Sequence, residues 1–240
     1  IMTLKIKTDK LKLSFPVLSK KQLFSKPGRS KPTAPNKFRA LNGISVEIHN
    51  GERVGLLGIN GAGKSTFLKV LAGVYAPSSG ALEINGRVTS LFDVRVGLDK
   101  EASGYENIPL LMAARGIPHN QAQELLKDII EFTELGDALE RPVRTYSSGM
   151  QLRIAFAVAT AQAADILLMD EIIGVGDKNF RVKSKQRTQR LLSESGTLLL
   201  ASHSSAYLKE YCTRGLIFEN GSIVADGPID EIIEQHENST

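Results

Sequence analysis

The chain has one cysteine, Cys212, and no tryptophan. A single thiol excludes an intrachain disulfide and a cysteine-rich metal site. No run of about 18 apolar residues occurs, which argues against a membrane-spanning helix. The longest apolar stretch, Ile154 to Met169, is broken by Gln162 and Asp165 and reads as a buried helix followed by a buried strand. The N-terminus lacks the apolar block of a signal peptide, so a cytosolic location is expected. There is no internal repeat and no heptad pattern, which excludes solenoids and coiled coils. Within these limits, 240 residues that are 42% apolar suffice for one large core or two small ones.

The net charge of +4 conceals an asymmetry. Residues 1–40 hold 11 Lys or Arg and one acid, Asp9, for +10; the other 19 basic and 25 acidic residues (30 − 11 and 26 − 1) give −6. Such a basic segment suits nucleic acid, anionic lipid or an acidic partner, and equally a solvated surface loop.

Against this background one stretch carries chemistry. Gly58-Ile59-Asn60-Gly61-Ala62-Gly63-Lys64-Ser65-Thr66 has the spacing Gly, four residues, Gly-Lys-Ser. Before it, Arg53 to Leu57 is apolar enough for a buried strand; after it, Phe67 to Ala72 repeats apolar residues at helical spacing. A strand feeding such a loop into a helix is the context of a phosphate loop. Glycines let backbone N–H groups wrap a phosphate, and the helix start directs its positive end at the same anion. Lys64 is expected to reach the β- and γ-phosphates and the Ser65 hydroxyl to ligate Mg²⁺. Gly58, Asn60, Gly61, Ala62, Gly63 and Thr66 complete the expected nucleotide contacts.

Four further features lie at suggestive places. Ile166 to Met169 is an apolar strand ending in Asp170-Glu171. Asp170 is placed to hold Mg²⁺, directly or through water, and Glu171 to take a proton from a water aimed at the γ-phosphate. Tyr146-Ser147-Ser148-Gly149-Met150 precedes an apolar helix, where serines cap well and a second anion site forms. Leu199 to Ser202 is a strand ending in His203, whose imidazole is placed to contact the γ-phosphate or order the water. Gly174-Val175-Gly176-Asp177 is a turn with one acid.

Coarse patterning expects an α/β fold: a P-loop NTPase core with a parallel sheet, an N-terminal antiparallel β subdomain and an inserted helical subdomain. The core is expected over about 1–92 and 161–240 and the helical part over about 93–160. Leu11, Leu13 and Phe15 alternate with polar residues as an edge strand; residues 16–38, rich in Lys, Ser and Pro, read as a loop; Ile44 to Ile48 alternates again. Asn50-Gly51 is a tight turn, and Asn85-Gly86 reads as a hairpin between strands Leu82–Ile84 and Val88–Phe92. Helices are expected over Tyr105–Arg115, Asn120–Thr133 and Ser148–Thr160. Strands follow at Ile166–Met169, Thr197–Ala201, and Gly215–Phe218 paired to Ile223–Ala225 across Asn220-Gly221. Helices Phe180–Ser193, Ala206–Tyr211 and Ile229–Gln235 lie between and after them.

In this order, over nearly the whole chain, these motifs resemble the nucleotide-binding subunit of ABC transporters. The resemblance implies that Gly58 to Thr66 is the Walker A loop, that Asp170-Glu171 is Walker B with the catalytic glutamate, and that Ser147-Ser148-Gly149 is the signature. It makes His203 the switch histidine and Asp177 the D-loop acid. It also implies ATP and Mg²⁺ as cofactors, and a head-to-tail homodimer in which each ATP lies between one phosphate loop and the other chain's signature helix.

The departures point further. Where the family has Leu-Ser-Gly-Gly-Gln this chain has Tyr146 to Met150; Asp93 stands at the usual glutamine and is assigned to the metal; the D-loop reads Gly-Val-Gly-Asp. That combination is similar to exporters of bacterial cell-surface polysaccharides, of O-antigen and teichoic acid type, without the C-terminal carbohydrate-binding domain some of them carry. The implied partners are a polytopic transmembrane subunit and, through it, a lipid-linked polysaccharide. The implied place is the cytoplasmic face of the bacterial inner membrane. A subunit for another cargo, lipid or drug, is the alternative, and a soluble ABC ATPase acting on nucleic acid a third; such proteins carry tandem domains or long coiled coils, so nucleic acid is not expected. An aromatic should stack on adenine, with Phe15, Phe24 and Phe38 as candidates and Phe15, at a strand end, preferred.

Overall fold

A computed structural model describes residues 3–17, 36–92, 97–171 and 178–239. In chain order the elements are β1 (Leu4–Val17), β2 (Asn36–His49), β3 (Arg53–Leu57), α1 (Lys64–Leu71), β4 (Ser79–Ile84), β5 (Val88–Ser90), α2 (Gly104–Ala114), α3 (His119–Thr133) and α4 (Ser148–Ala159). They continue with β6 (Ile166–Asp170), α5 (Lys178–Glu194), β7 (Thr197–Ala201), α6 (Ser205–Tyr211), β8 (Arg214–Glu219), β9 (Ser222–Pro228) and α7 (Ile229–Asn238). The chain divides into two compact units, residues 1–85 with 201–240, and residues 86–200.

The first unit begins with an antiparallel sheet in the order β2-β1-β4. Leu11 and Leu13 are buried between exposed neighbours, and they face Ile44 and Leu41 of β2 across the ladder. Both strands run longer than their alternation indicates. The ladder shifts register between Thr8 and Leu11, where Lys10 has φ 46°, and a bulge there breaks the period-two pattern that a sequence displays. The same unit holds β3, parallel to β8, which pairs antiparallel with β9. Val54 to Leu57 are all buried, so β3 reads as a continuous apolar run. Helix α7 lies directly on this sheet through Ile229, Ile232 and Ile233. A Cβ on Gly215 would come within 2.6 Å of Ile232, so only glycine admits the helix at that distance. Phe67 of α1 meets Phe218 of β8 at 5.5 Å between ring centroids.

In the second unit β5 runs parallel to β6, with Val88 opposite Ile166, and β7 adjoins β6 on the other side. Helices α2, α3 and α4 pack around Ile108, Leu111, Ile129, Phe132, Ile154 and Phe156. Full burial of side chains of this size stabilises by about 1.5–3 kcal/mol each. Phe180 of α5 joins them, edge-on to Phe132 at 5.3 Å. Helix α2 starts with a reciprocal capping box between Ser103 and Glu106.

The Asn85-Gly86 hairpin is not formed. β4 pairs with β1, and β5 pairs with β6, so the two strands belong to different sheets. The backbone states the reason. A two-residue hairpin of the favoured type needs positive φ at both central residues. At 85–86 only Gly86 has it, at 132°, whereas Asn220 and Gly221, at 48° and 77°, both do and join β8 to β9.

Candidate nucleotide site

The run from Gly58 to Gly63 connects buried β3 to the start of α1. Gly58, Gly61 and Gly63 have φ of 134°, 82° and 113°. Successive amides in such conformations form a concave nest for an anion. At Gly58 a Cβ would sit 2.3 Å from the Phe218 carbonyl oxygen, and at Gly63 3.1 Å from that of Ala40. A Cβ at Gly61 would meet nothing, so the loop is open there. The loop is braced from behind: the Gly221 N–H donates to the Ala62 carbonyl at 2.9 Å, and the Asn42 N–H to that of Gly221 at 2.7 Å. The Asn220-Gly221 hairpin thus clamps the loop to β2, a role invisible in the dipeptide itself.

Lys64 is 7% exposed. Its ammonium curls over the loop and donates to the carbonyls of Gly58 and, at 3.2 Å, Ile59. The charge is therefore held inside the concavity. The N-cap of α1 is Gly63, which has no side chain to engage the first-turn amides, and Phe67 begins the helix by donating to Gly63. Ser65 lies exposed in that first turn. This cradle fits a polyphosphate, with backbone donors, one buried cation and no acid in the first turn.

Around the same loop the strands bring aromatics together. Phe15 and Phe38 face each other across β1 and β2, and Phe15 stands edge-on to Tyr75 at 5.3 Å. Phe38 is 59% exposed and lies two residues before Ala40, which borders Gly63. Tyr75 had no sequence signal, because it joins the pair only through the turn after α1. Phe24 lies outside the described residues.

In the second unit, β6 is buried through Met169 and brings Asp170 half-exposed to its C-terminal end. Glu171 follows, exposed, with φ 62°. A glutamate in this left-handed region carries strain of about 1–2 kcal/mol, of the kind found at functional positions. Ser147 caps α4, its Oγ accepting from the Met150 N–H at 3.2 Å. Ser147 and Ser148 are exposed, and a Cβ on Gly149 would meet only Ser147 Oγ, at 3.8 Å. His203, in the first unit, lies exposed in the turn between β7 and α6. Asp93 and Asp177 lie outside the described residues.

Among the described residues no group of three or more His, Cys, Asp or Glu is placed to hold a metal. The hydroxyl of Ser65 and the carboxylate of Asp170 are hard oxygen donors of the type Mg²⁺ takes. That ion keeps waters and substrate phosphates in its shell and needs only one or two protein oxygens.

Residues 41–174 match the family model described as ABC transporter. The chain belongs to the ABC transporter family. Among its relatives is the O-antigen export system ATP-binding protein RfbE of Yersinia enterocolitica, 45% identical over 77% of this chain and 77% of that protein. Another is the teichoic acids export ATP-binding protein TagH of Shouchella clausii, 39% identical over 84% of this chain and 56% of that one. A third is the O-antigen export system ATP-binding protein RfbB of Myxococcus xanthus, at 37% over 87% and 48%. The chain therefore spans most of the first of these relatives and about half of the other two. A solved ATP-binding subunit of an ABC transporter superposes with a TM-score of 0.68, covering 97% of this chain and 93% of that one at 23% identity. That likeness concerns the fold, which is the α/β fold of P-loop NTPases. As a family member the chain is an ATP-binding, ATP-hydrolysing protein.

Proposed function

We propose that this chain is the ATP-hydrolysing subunit that powers export of a lipid-linked polysaccharide, of O-antigen or teichoic acid type, through a separate transmembrane subunit. The observation that carries this is the 45% identity to an O-antigen export ATP-binding protein over 77% of the chain, which includes the phosphate loop and the Ser147 helix start. Among the described residues no helix is long and apolar enough to cross a membrane, and this reading gives the membrane passage to a separate partner. The chain would act at the cytoplasmic face of the bacterial inner membrane. The core would comprise about 1–92 and 161–240, and the helices of 93–160 would receive the partner, with the segment from Phe92 to Ile108 as its docking surface.

The residue roles follow from chemistry. Backbone amides of Gly58 to Gly63 hold the phosphates, and Lys64 leaves its two carbonyl acceptors for the β- and γ-phosphate oxygens. Ser65 and Asp170 would hold Mg²⁺, with Asp93 near it; the ion, when bound, neutralises charge on the phosphates. Glu171 takes a proton from the attacking water and His203 orients that water. Ser147, Ser148 and Gly149 reach the nucleotide of a second copy of the chain, and Asp177 would lie at that junction. Phe15, with Phe38, stacks on adenine.

Restoration of export is the test. A cell lacking this chain should accumulate lipid-linked polymer internally, and should regain surface polymer with the native chain but not with Lys64→Ala. Normal surface polymer in that cell, with a lipid or drug phenotype instead, would assign another cargo.

A further inference from the structure

Asn107, in the second turn of α2, is 0% exposed. Its side chain makes four contacts with the loop before that helix. Oδ1 accepts from the Asp99 N–H at 2.8 Å. Nδ2 donates towards the carbonyls of Asp99 at 2.9 Å, Ser103 at 2.8 Å and Ala102 at 3.2 Å. A buried amide with every donor and acceptor engaged is a rigid fixing point.

The loop so fixed holds a second segment. The Val143 N–H donates to the Ala102 carbonyl at 2.9 Å and the Arg144 N–H to that of Lys100 at 2.8 Å. Ser103 and Pro142 form an antiparallel bridge. Arg144 pairs with Glu101 at 3.3 Å. Tyr146 closes the join: its hydroxyl donates to the Ala138 carbonyl at 2.5 Å, and a Cβ on Gly104 would stand 2.5 Å from the Tyr146 hydroxyl oxygen. The next residue is Ser147, the cap of α4.

We infer that Asn107 is a positioning residue for the Ser147 helix start, acting through the strap of residues 99–103 on 142–146. This rests on the proposed role of Ser147 at a partner's nucleotide. The strap joins the proposed docking segment to that helix start by two backbone hydrogen bonds and a bridge, within five residues of the cap. A shift of the loop by a membrane partner is therefore delivered to Ser147, not absorbed. In the reverse direction, nucleotide seated against Ser147 sets the loop, because binding coupling is reciprocal. Replacing Nδ2 by a carboxylate oxygen places a negative charge against three carbonyls and releases the loop while leaving the phosphate loop untouched.

The test uses the full chain carrying Glu171→Gln, in which ATP should hold two copies together. Four proteins are compared: this parent, and the parent with Ser147→Ala, Asn107→Asp or the milder Asn107→Ser. Three quantities are read: affinity for a fluorescent ATP analogue at concentrations where the chain is a monomer, ATP-dependent dimerisation by sedimentation, and amide exchange at Val143 and Arg144. The Asn107 variants should bind nucleotide within about twofold of the parent, dimerise at least about tenfold more weakly, and exchange Val143 and Arg144 faster. A purely structural role would weaken both binding steps together and would overturn the inference. So would weaker dimerisation with Val143 and Arg144 still protected, or Asn107 variants that dimerise like the parent while Ser147→Ala does not. If Ser147→Ala also dimerises like the parent, the reading of Ser147 itself fails.

Discussion

The protein has two helix starts with opposite chemistry. Helix α1 begins at Gly63, which offers no side chain, and its amides open onto a glycine loop with Lys64 folded across it. Helix α4 begins at Ser147, whose own hydroxyl already takes the Met150 amide. A start without a side-chain cap leaves its first amides to water or to an anion, whereas a serine cap takes one of them for its own helix. On the proposed reading, the first start is where a nucleotide binds, and the second, offered by another copy of the chain, completes that binding. The cap of α4 is worth about 1 kcal/mol to its own helix, and α1 has no side-chain cap of that kind.

Removing the cation should give the largest effect. Lys64→Ala should abolish ATP hydrolysis while circular dichroism and melting remain near native, since the loss is charge and not core. Undiminished turnover by the folded variant would show that the α1 start is not the phosphate site. Next is the carboxylate after β6. Glu171→Gln should slow hydrolysis by about 10²–10⁴-fold with nucleotide affinity retained, the usual worth of a general base. A companion, Glu171→Gly, should lose as much activity yet stabilise the fold by about 1 kcal/mol, because glycine accepts a φ of 62° without strain. Unchanged denaturant midpoints in Glu171→Gly would show that the backbone there is unstrained.

Smaller effects sharpen the comparison. Phe38→Ala and Phe15→Ala should each raise the KM for ATP and for GTP about two- to tenfold, as expected for one ring stacked on either purine. An unchanged KM for both nucleotides would move the base elsewhere. Mixing Lys64→Ala chains with Gly149→Asp chains separates the two helix starts. If the α4 start serves the other copy, a mixed dimer keeps at most one whole site and about half the native rate. A mixed dimer with no working site would make each chain self-sufficient, because each site would then carry its own chain's lesion. The smallest effect is none. Burial pushes the Cys212 thiol up to about 12, so native protein should resist iodoacetamide at neutral pH and react only when unfolded. Alkylation at the native rate of a free thiol would place Cys212 at the surface.

Three Asn-Gly pairs show how far the chain could be read before folding. Asn50-Gly51 turns tightly, with the Glu52 N–H on the His49 carbonyl at 3.1 Å, and leads out of one sheet into β3. Asn220-Gly221 makes a true hairpin. Asn85-Gly86 makes none. The dipeptide permits the turn, but which sheet the next strand joins depends on partners far away. Ile84 faces Ile6 and Val88 faces Ile166, and neither pairing is local. The early start of β2 was likewise hidden, because polar Asn36 and Lys37 carry no alternation and pair only because β1 extends opposite them.

The phosphate loop and the capped start of α4 were written in contiguous residues. Each is a local backbone problem: glycines where φ must be positive, a serine where an amide needs an acceptor, an apolar strand before and an apolar helix after. The family followed from the order of such pieces. Tertiary structure alone decided that Gly221 braces Ala62, that Phe38 faces Phe15 beside Tyr75, and that Asn107 ties residues 99–103 where they meet 142–146. Those contacts join residues far apart in the chain. They exist because whole strand and helix faces must be buried together, a requirement satisfied by the folded chain and by no short stretch of it.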